Sequence, residues 1–358
     1  MKPNIQIINP ITYPGWDDLL ISCPGYSFFH SSAWAKVLNK TYGYTPLYFT
    51  VFGKDGIWAL IPVMEVNSFL TGKRGVSLPF TDYCDPIIND GIKFQDLMNI
   101  IIEYGEKAGW KYLEFRGDYN IIPYSLTRNL QPETWNRMPS STYLGHILDL
   151  SQKEDQIFSH FRDSTKRNIK KAMKEGVEVK IDHSLESIEE FYKLNSITRK
   201  QHGLPPQPYL FFKKVYDHII CKKLGFVVLA SFQDKPIAGA VYFHFGEKAV
   251  YKYGASVMSY QHLRANNLVM WEAIRWYSQN GYKSLCFGRT EPENDGLIQF
   301  KTGWGTTEQP INYYRYDFKK EAFINSQSMV TGFHNKIFKN MPGPILNKIG
   351  ALLYRHFA

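Results

Sequence analysis

Cysteine is scarce in this chain. Cys23, Cys84, Cys221 and Cys286 are the four in 358 residues, widely spaced and with no Cys-x-x-Cys pair. Such spacing argues against a disulfide framework and reads as buried free thiols. No His, Cys and carboxylate side chains cluster at ligand spacing, so no metal site is expected. No apolar run approaches the roughly eighteen residues that a membrane-spanning helix needs. The first residues, Met-Lys-Pro-Asn-Ile, hold a lysine but no apolar stretch, so a secretory signal is not expected and the cytoplasm is the expected compartment. No Ser-His-Asp or Cys-His arrangement for nucleophilic catalysis emerges. Acidic residues are also short: 33 against 42 basic ones, a net charge of +9. That imbalance favours an anionic partner, whether a phosphorylated substrate, RNA or an anionic membrane surface.

What is present is enough for folded cores. Hydrophobic residues make up 44% of the chain and aromatics 16%, and the length exceeds a single-core domain. The two halves carry matching units. Phe52-Gly-Lys-Asp-Gly-Ile57 followed by an apolar run to Val63 predicts a hairpin. Phe232-Gln-Asp-Lys-Pro-Ile237 followed by Ala238 to Phe243 repeats it. A helix over 94–107, Gly109 and a strand over 110–115 are answered by a helix over 268–279, Gly281 and a strand over 282–287. Similar offsets in the same order point to a duplicated α/β unit. The stretch 118–142, with Pro123, Pro132, Pro139 and Ser140-Ser141, reads as a linker. Domain one is expected over 1–142 and domain two over 143–318. Domain two opens on a strand over 144–150 and a helix capped by Ser151. A basic amphipathic tail follows over 319–358.

The stretch from Tyr253 to Gly305 is the most informative. It runs Tyr-Gly-Ala-Ser (253–256), Arg264-Ala-Asn-Asn-Leu, Trp271-Glu-Ala-Ile, Gly281-Tyr-Lys, Phe287-Gly-Arg289 and Phe300-Lys301-Thr-Gly-Trp-Gly305. The ordered set resembles the second half of the FemABX family, the peptidoglycan bridge-forming aminoacyltransferases. That resemblance implies an α/β fold of two tandem GNAT-like domains, mixed sheets flanked by helices. It covers domain two well and domain one by architecture alone.

Candidate site residues follow. On a helix over 162–174, Lys166, Lys170 and Lys174 form one i, i+4, i+8 row, and Arg167 and Lys171 a second. Like charges at this spacing repel, which hints at an anionic partner; a solvated face is the plain alternative. The family carries Thr-x-Arg here, its Arg on the substrate diphosphate, and Thr165 and Arg167 match; Lys171 stands where better-studied relatives have an aromatic residue. The Phe-Lys-x-Gly-Trp-Gly segment resembles the family's Phe-Lys-x-x-Phe-Gly. By that resemblance Lys301 is the catalytic candidate, gripping phosphates or polarising the ester; a surface lysine in a glycine turn is the alternative. Arg264 opens the loop where a GNAT enzyme binds pyrophosphate, at a helix N-terminus. The loop has no glycine between 258 and 268, which speaks against tight CoA binding, and no cofactor is expected. Arg289 could line the same cleft. In domain one the resemblance points to Asp82, Tyr83 and Asp85 near the substrate's uridylyl-sugar part, and to Trp34; an Asx-Pro turn and a core tryptophan are the alternatives.

The reading is an N-acyltransferase moving an aminoacyl group from aminoacyl-tRNA to an amine of a nucleotide- or lipid-linked peptidoglycan precursor. An acyl-CoA-dependent acetyltransferase acting on an amino sugar or exopolysaccharide unit is the alternative. A non-catalytic RNA- or membrane-binding protein is the third. The helical arm that some family members insert in domain two has no counterpart. The tail carries six cations (Lys319, Lys320, Lys336, Lys339, Lys348, Arg355) against Glu321. Its residues Ile345, Ile349, Leu352 and Leu353 share one helical face, expected either to dock on domain two or to touch the inner face of the membrane.

Overall fold

The computed structural model describes residues 4–54, 56–89, 94–117, 139–325 and 333–356. Most of the expected linker, 118–138, lies outside the described residues. The chain forms two compact units. One comprises Met1–Leu144, Pro310–Met329 and Arg355–Ala358; the other Gly145–Gln309 and Val330–Tyr354.

In the first unit, β1 (Ile5–Ile8), helices α1 (Trp16–Ile21) and α2 (Ser32–Tyr42), strands β2 (Thr45–Gly53), β3 (Gly56–Ser68), β4 (Gly72–Val76) and β5 (Ile87–Ile88), helix α3 (Phe94–Ala108) and β6 (Tyr112–Arg116) follow in order. β1 to β4 pair antiparallel in sequence, whereas β4 and β6 pair parallel across the α3 crossover. The apolar stripe of α3 (Phe94, Leu97, Met98, Ile101) buries against Phe49, Ile61, Val63 and Leu113.

The second unit repeats the plan. It begins with β7 (Ser141–Asp149), whose first residues belong to the first unit, then α4 (Glu154–Ser159), α5 (Asp163–Lys174), β8 (Glu178–Asp182), α6 (Leu185–Gln201) and α7 (Tyr209–His218). Strands β9 (Gly225–Phe232), β10 (Lys235–Phe245) and β11 (Lys248–Ser256), helix α8 (Ala265–Gln279), β12 (Ser284–Thr290) and α9 (Asp295–Thr302) follow. The β9–β10 turn is built on Gln233 and Asp234, with φ of 50° and 61°, the left-handed pair that tight hairpins use. β9, β10 and β11 are antiparallel, and β11 meets β12 in parallel across α8. The order hairpin, strand, helix, parallel strand thus occurs twice, as the offsets in the sequence predict.

Side chains alternate along β10. Ala238, Ala240 and Tyr242 join the core that contains Leu268, Ile274 and Tyr277 of α8, while Gly239 approaches Phe191 of α6. Successive strand residues point to opposite faces, so α8 covers one face of this sheet and α6 the other. α5 packs on α8 and α11 (Gly343–Leu353) on α6.

The C-terminal part departs from the expected boundaries. β13 (Thr307–Asp317) runs past the end of the second unit, and its residues 313–317 pair with β6 while β14 (Ala322–Ile324) adds to it. After α10 (Phe333–Asn340) and α11, the last described residues return to the first unit. There Arg74, Thr71 and Ser68 bond His356, and the Tyr44 hydroxyl donates to the Arg355 carbonyl. The segment 319–358 is therefore not one tail. Nor is the expected face of α11 the docked one. Leu346 and Gly350 are buried, Ile349 and Leu353 are half-buried, and Ile345 and Leu352 are 50% and 69% exposed. The helix is turned about its axis because Pro205–Pro206 approaches at Gly350, where an added Cβ would collide with the Pro206 carbonyl.

Gly350→Val should therefore unseat α11 and cost about 1–3 kcal/mol by denaturant unfolding, while Leu352→Ser should leave stability within about 0.5 kcal/mol. Equal effects would mean that α11 is seated on its other face.

Candidate functional site

Lys301 lies in the last turn of α9 and is 3% exposed. It is not the surface lysine of a glycine turn. α9 starts at Asn294, whose side chain accepts the Leu297 N–H, so an Asn-Asp cap signalled a helix that the sequence reading did not draw. The Lys301 ammonium donates to the carbonyls of Gly288 (3.1 Å) and Arg289 (3.0 Å). Two successive carbonyls reach one ammonium because Gly288 sits at φ 70°, a conformation that costs glycine little.

The helix end is tied to α5 as well. The Arg162 N–H, at the cap of α5, donates to the Gly303 carbonyl at 2.9 Å, and an added Cβ at Gly303 would lie 2.7 Å from Thr165 Oγ1. The end of α9, which carries Phe300-Lys301, therefore reaches both the end of β12 and the start of α5, more than a hundred residues upstream, where Thr165 lies. Thr165 is buried at this contact, whereas Arg167 and Lys171 are exposed and Arg289 is half-buried.

Beside them stand two residues that the sequence reading missed. His146 of β7 is wholly buried, and neither ring nitrogen makes a hydrogen bond; Nδ1 is 3.9 Å from a Glu308 carboxylate oxygen. Burial, and then the charge of Lys301, push its pKa down to about 4, so the imidazole is neutral at pH 7. Thr290, at the end of β12, is also wholly buried with an unbonded hydroxyl. A polar residue on the buried side of an apolar strand was the available signal for His146.

Open space lies beside Phe300, the neighbour of Lys301. β11 and β12 are in register over Lys248–Val250 and Ser284–Cys286, yet β11 runs on to Ser256 and β12 to Thr290. Two cavities of about 140 and 180 Å³ lie by α8, with Asn266 and Phe300 lining both. Arg264 caps α8 at φ 61° and is exposed, with Ser256 and Gln261 on the wall of the smaller cavity. Burial raises the Tyr242 hydroxyl well above its ordinary range and Tyr251 to about 12, so neither is a base near neutrality.

In the first unit, Trp34 is wholly buried, edge-on to Phe28 and Phe29; it belongs to the core rather than to a cleft wall. Asp82, Tyr83 and Asp85 are partly exposed on one loop. The Tyr313 hydroxyl donates to the Asp82 carbonyl at 2.8 Å, and the Asp85 carbonyl lies 2.9 Å from His30 Nε2. The loop backbone is thus fixed, and the Asp85 carboxylate packs against Gly117, where an added Cβ would collide with it.

Comparison with known proteins agrees with this geometry. The acetyltransferase (GNAT) domain family matches residues 159–302, which contain both motifs. UDP-N-acetylmuramoylpentapeptide-lysine N(6)-alanyltransferase of Weissella viridescens is 21% identical over 322 residues, covering 84% of this chain and 91% of that protein. Lipid II:glycine glycyltransferase of Staphylococcus haemolyticus (strain JCSC1435) is 20% identical, over 45% of this chain and 55% of its own length. The FemX crystal structure superposes with a TM-score of 0.66 at 13% identity, covering 89% of this chain and 97% of FemX. A tandem GNAT protein from the clavulanic acid pathway gives 0.52. The fold and the matched domain define an acyltransferase of the GNAT class. Within that class the chain is a relative of the FemABX-type aminoacyltransferases.

Neutral buried histidines make stability depend on pH. His244, with a neighbouring tyrosine hydroxyl and backbone carbonyl, is likewise held at about 4 by burial. Between about 6.5, the unfolded value, and about 4 the unfolded chain binds protons that the folded chain refuses, so stability falls as pH falls through this window. A shift of this size is worth on the order of 3 kcal/mol per histidine at most. Denaturant titrations from pH 7 to 4 should show this loss, and His244→Phe should flatten the profile; an unchanged slope would show that His244 is already protonated in the fold.

Proposed function

We propose that the chain transfers an aminoacyl group from aminoacyl-tRNA to an amine on a peptidoglycan precursor. The observation that carries this reading is that the α9 end holding Lys301 is fixed both to the end of β12, through the Gly288 and Arg289 carbonyls, and to the start of α5, through Gly303 against Thr165 and the Arg162 amide. The relatives' substrates, a muramoyl pentapeptide and lipid II, supply the acceptor class. In the reaction the amine attacks the ester carbonyl, a C–N bond forms, and the C–O bond breaks. The amine gives up a proton and the departing ribose hydroxyl takes one. The Lys301 ammonium, held in a low-dielectric surround, stabilises negative charge on the carbonyl oxygen or the neighbouring phosphates. Arg167 meets the diphosphate of the precursor, with Lys171 beside it. Arg264, on the wall of the cavity at the start of α8, and Arg289, at the end of β12, serve the donor, and Asp82, Tyr83 and Asp85 contribute to acceptor binding. Because His146 and the cavity tyrosines are neutral, the substrates themselves carry the proton from amine to leaving oxygen.

An acyl-CoA donor is the second reading, favoured by the matched GNAT domain. The glycine-free loop with left-handed Arg264 weighs against it, because tight diphosphate cradling there relies on glycine. Turnover should be measured with aminoacyl-tRNA and with acetyl-CoA on nucleotide-linked and lipid-linked precursors. Arg167→Ala and Lys301→Ala should each lose about 2–4 kcal/mol of transition-state stabilisation. Arg167→Ala should melt as the parent does, since its side chain is exposed. Lys301→Ala should also lose stability, because two buried carbonyls lose their donor. Full turnover by either variant removes that residue from the site, and activity with acetyl-CoA alone replaces the donor.

The protein works at the cytoplasmic face of the membrane, through α10 and α11. Ile337, Ile345 and Leu352 are exposed there with Lys339 and Lys348, and each cation near an anionic surface contributes on the order of 1 kcal/mol. Binding to vesicles containing phosphatidylglycerol should be salt-sensitive and should weaken at least several-fold in Ile345→Ser/Leu352→Ser. No vesicle binding by the parent at low salt would end this part of the reading. Point variants suit the test better than deletion, since removing 333–358 would also strip the buried bonds of His356 in the first unit.

A further inference from the structure

α5 presents a second cationic surface, of a different character. Thr165, Ile169 and Ala172 turn inward, and Arg162, Arg167, Lys170, Lys171 and Lys174 are exposed. Lys166 is engaged, donating to the Ser159 carbonyl at 2.7 Å and lying 3.8 Å from Asp163. Among the described residues, Lys170, Lys171 and Lys174 enter no salt bridge and no side-chain hydrogen bond. Four residues of helix rise about 6 Å, so Lys170 and Lys174 stand one above the other and repel. A helix that holds uncompensated like charges in rows is stabilised by an anionic polymer more than by a single anion.

Apolar content tells which polymer. On the outward side of α5 the large exposed apolar residue is Met173, whereas α11 exposes Ile345 and Leu352 beside its lysine. Surface-binding membrane helices need an apolar face to enter the lipid; a phosphate backbone needs cations alone. The two helices also pack on opposite faces of the sheet of the second unit.

We propose that the exposed Lys170–Lys174 row of α5 is the docking surface for the phosphate backbone of the RNA that carries the acyl donor. This rests on the aminoacyl-tRNA reading above and locates where such an RNA is held. Contact is to backbone phosphates and is independent of base sequence. The Lys170–Lys174 row supplies the electrostatic grip.

The test is fluorescence anisotropy with an unacylated RNA hairpin of acceptor-stem length, from 50 to 200 mM salt. The parent should bind with a steep salt slope. Each lost phosphate contact lowers that slope by about 0.9 for a duplex, so Lys170→Gln/Lys174→Gln should lower it by about 1.8 and weaken binding roughly tenfold or more at 150 mM. Lys170→Arg/Lys174→Arg should keep the parent's binding and thereby exclude misfolding as the cause. In the aminoacyl-tRNA assay the Gln variant should raise KM and leave kcat near the parent's. If the parent binds RNA and the Gln variant binds it equally well, the surface is wrong while the donor reading stands. If the parent binds no RNA and turns over with another donor, both fall. If the Gln variant loses anionic-vesicle binding and keeps RNA binding, the face belongs to lipid and the proposal is overturned.

Discussion

The buried ammonium of Lys301 is the constraint on which the second unit's site depends. A cation out of water costs several kcal/mol unless its donors are met, and here the carbonyls of Gly288 and Arg289 meet them. Those carbonyls lie past the point where β12 is in register with β11. The lysine thus closes a backbone edge that the sheet leaves open, and the open edge gives the lysine its seat. Once α9 is fixed to β12, Gly303 presses on Thr165 and the Arg162 amide bonds to Gly303, so the register of α5 follows. Aromatic packing reinforces the arrangement: Trp304 is wholly buried and meets Phe161 edge-on at 5.0 Å.

Local chemistry made much of this legible. The hairpins announced themselves through turn residues between apolar runs, and α3 and α8 through their apolar period with Gly109 and Gly281 after them. The basic period of α5 was visible because its inward residues Thr165, Ile169 and Ala172 leave the cations together. What was hidden depends on long-range contact. Nothing local tells that Lys301 is buried, since its two acceptors come from a strand a dozen residues away. The same holds for β13, which the sequence reading did not draw and which pairs with β6 far upstream. For α11 the apolar spacing named a face, yet two adjacent faces were apolar enough, and Pro205–Pro206 selected the one with Gly350.

The basic helix α5 and the α10–α11 segment of the same unit need not share a role. Charge alone does not separate RNA from lipid, because both are polyanions. The separation comes from what lies beside the cations: on α10 and α11, exposed aliphatic side chains; on α5, hardly any. Since α8 and α6 cover opposite faces of the sheet, and α5 and α11 pack on them respectively, the RNA and the membrane of the two proposals would not compete for the same surface.

The electrostatics around Lys301 also limit the chemistry. A strong internal base would have to ionise beside a fixed ammonium in a buried place. The groups at hand do the opposite: His146 is kept neutral by burial and by that same ammonium, and burial raises Tyr242 and Tyr251. An ester reacting with an amine suits such a site, because the entering nitrogen brings the proton that the leaving oxygen requires. What the protein must then supply is a positive charge that does not move as the carbonyl oxygen gains negative charge. In the proposed reaction that charge is the Lys301 ammonium; two backbone carbonyls hold it in place, so little reorganisation is needed when the charge develops.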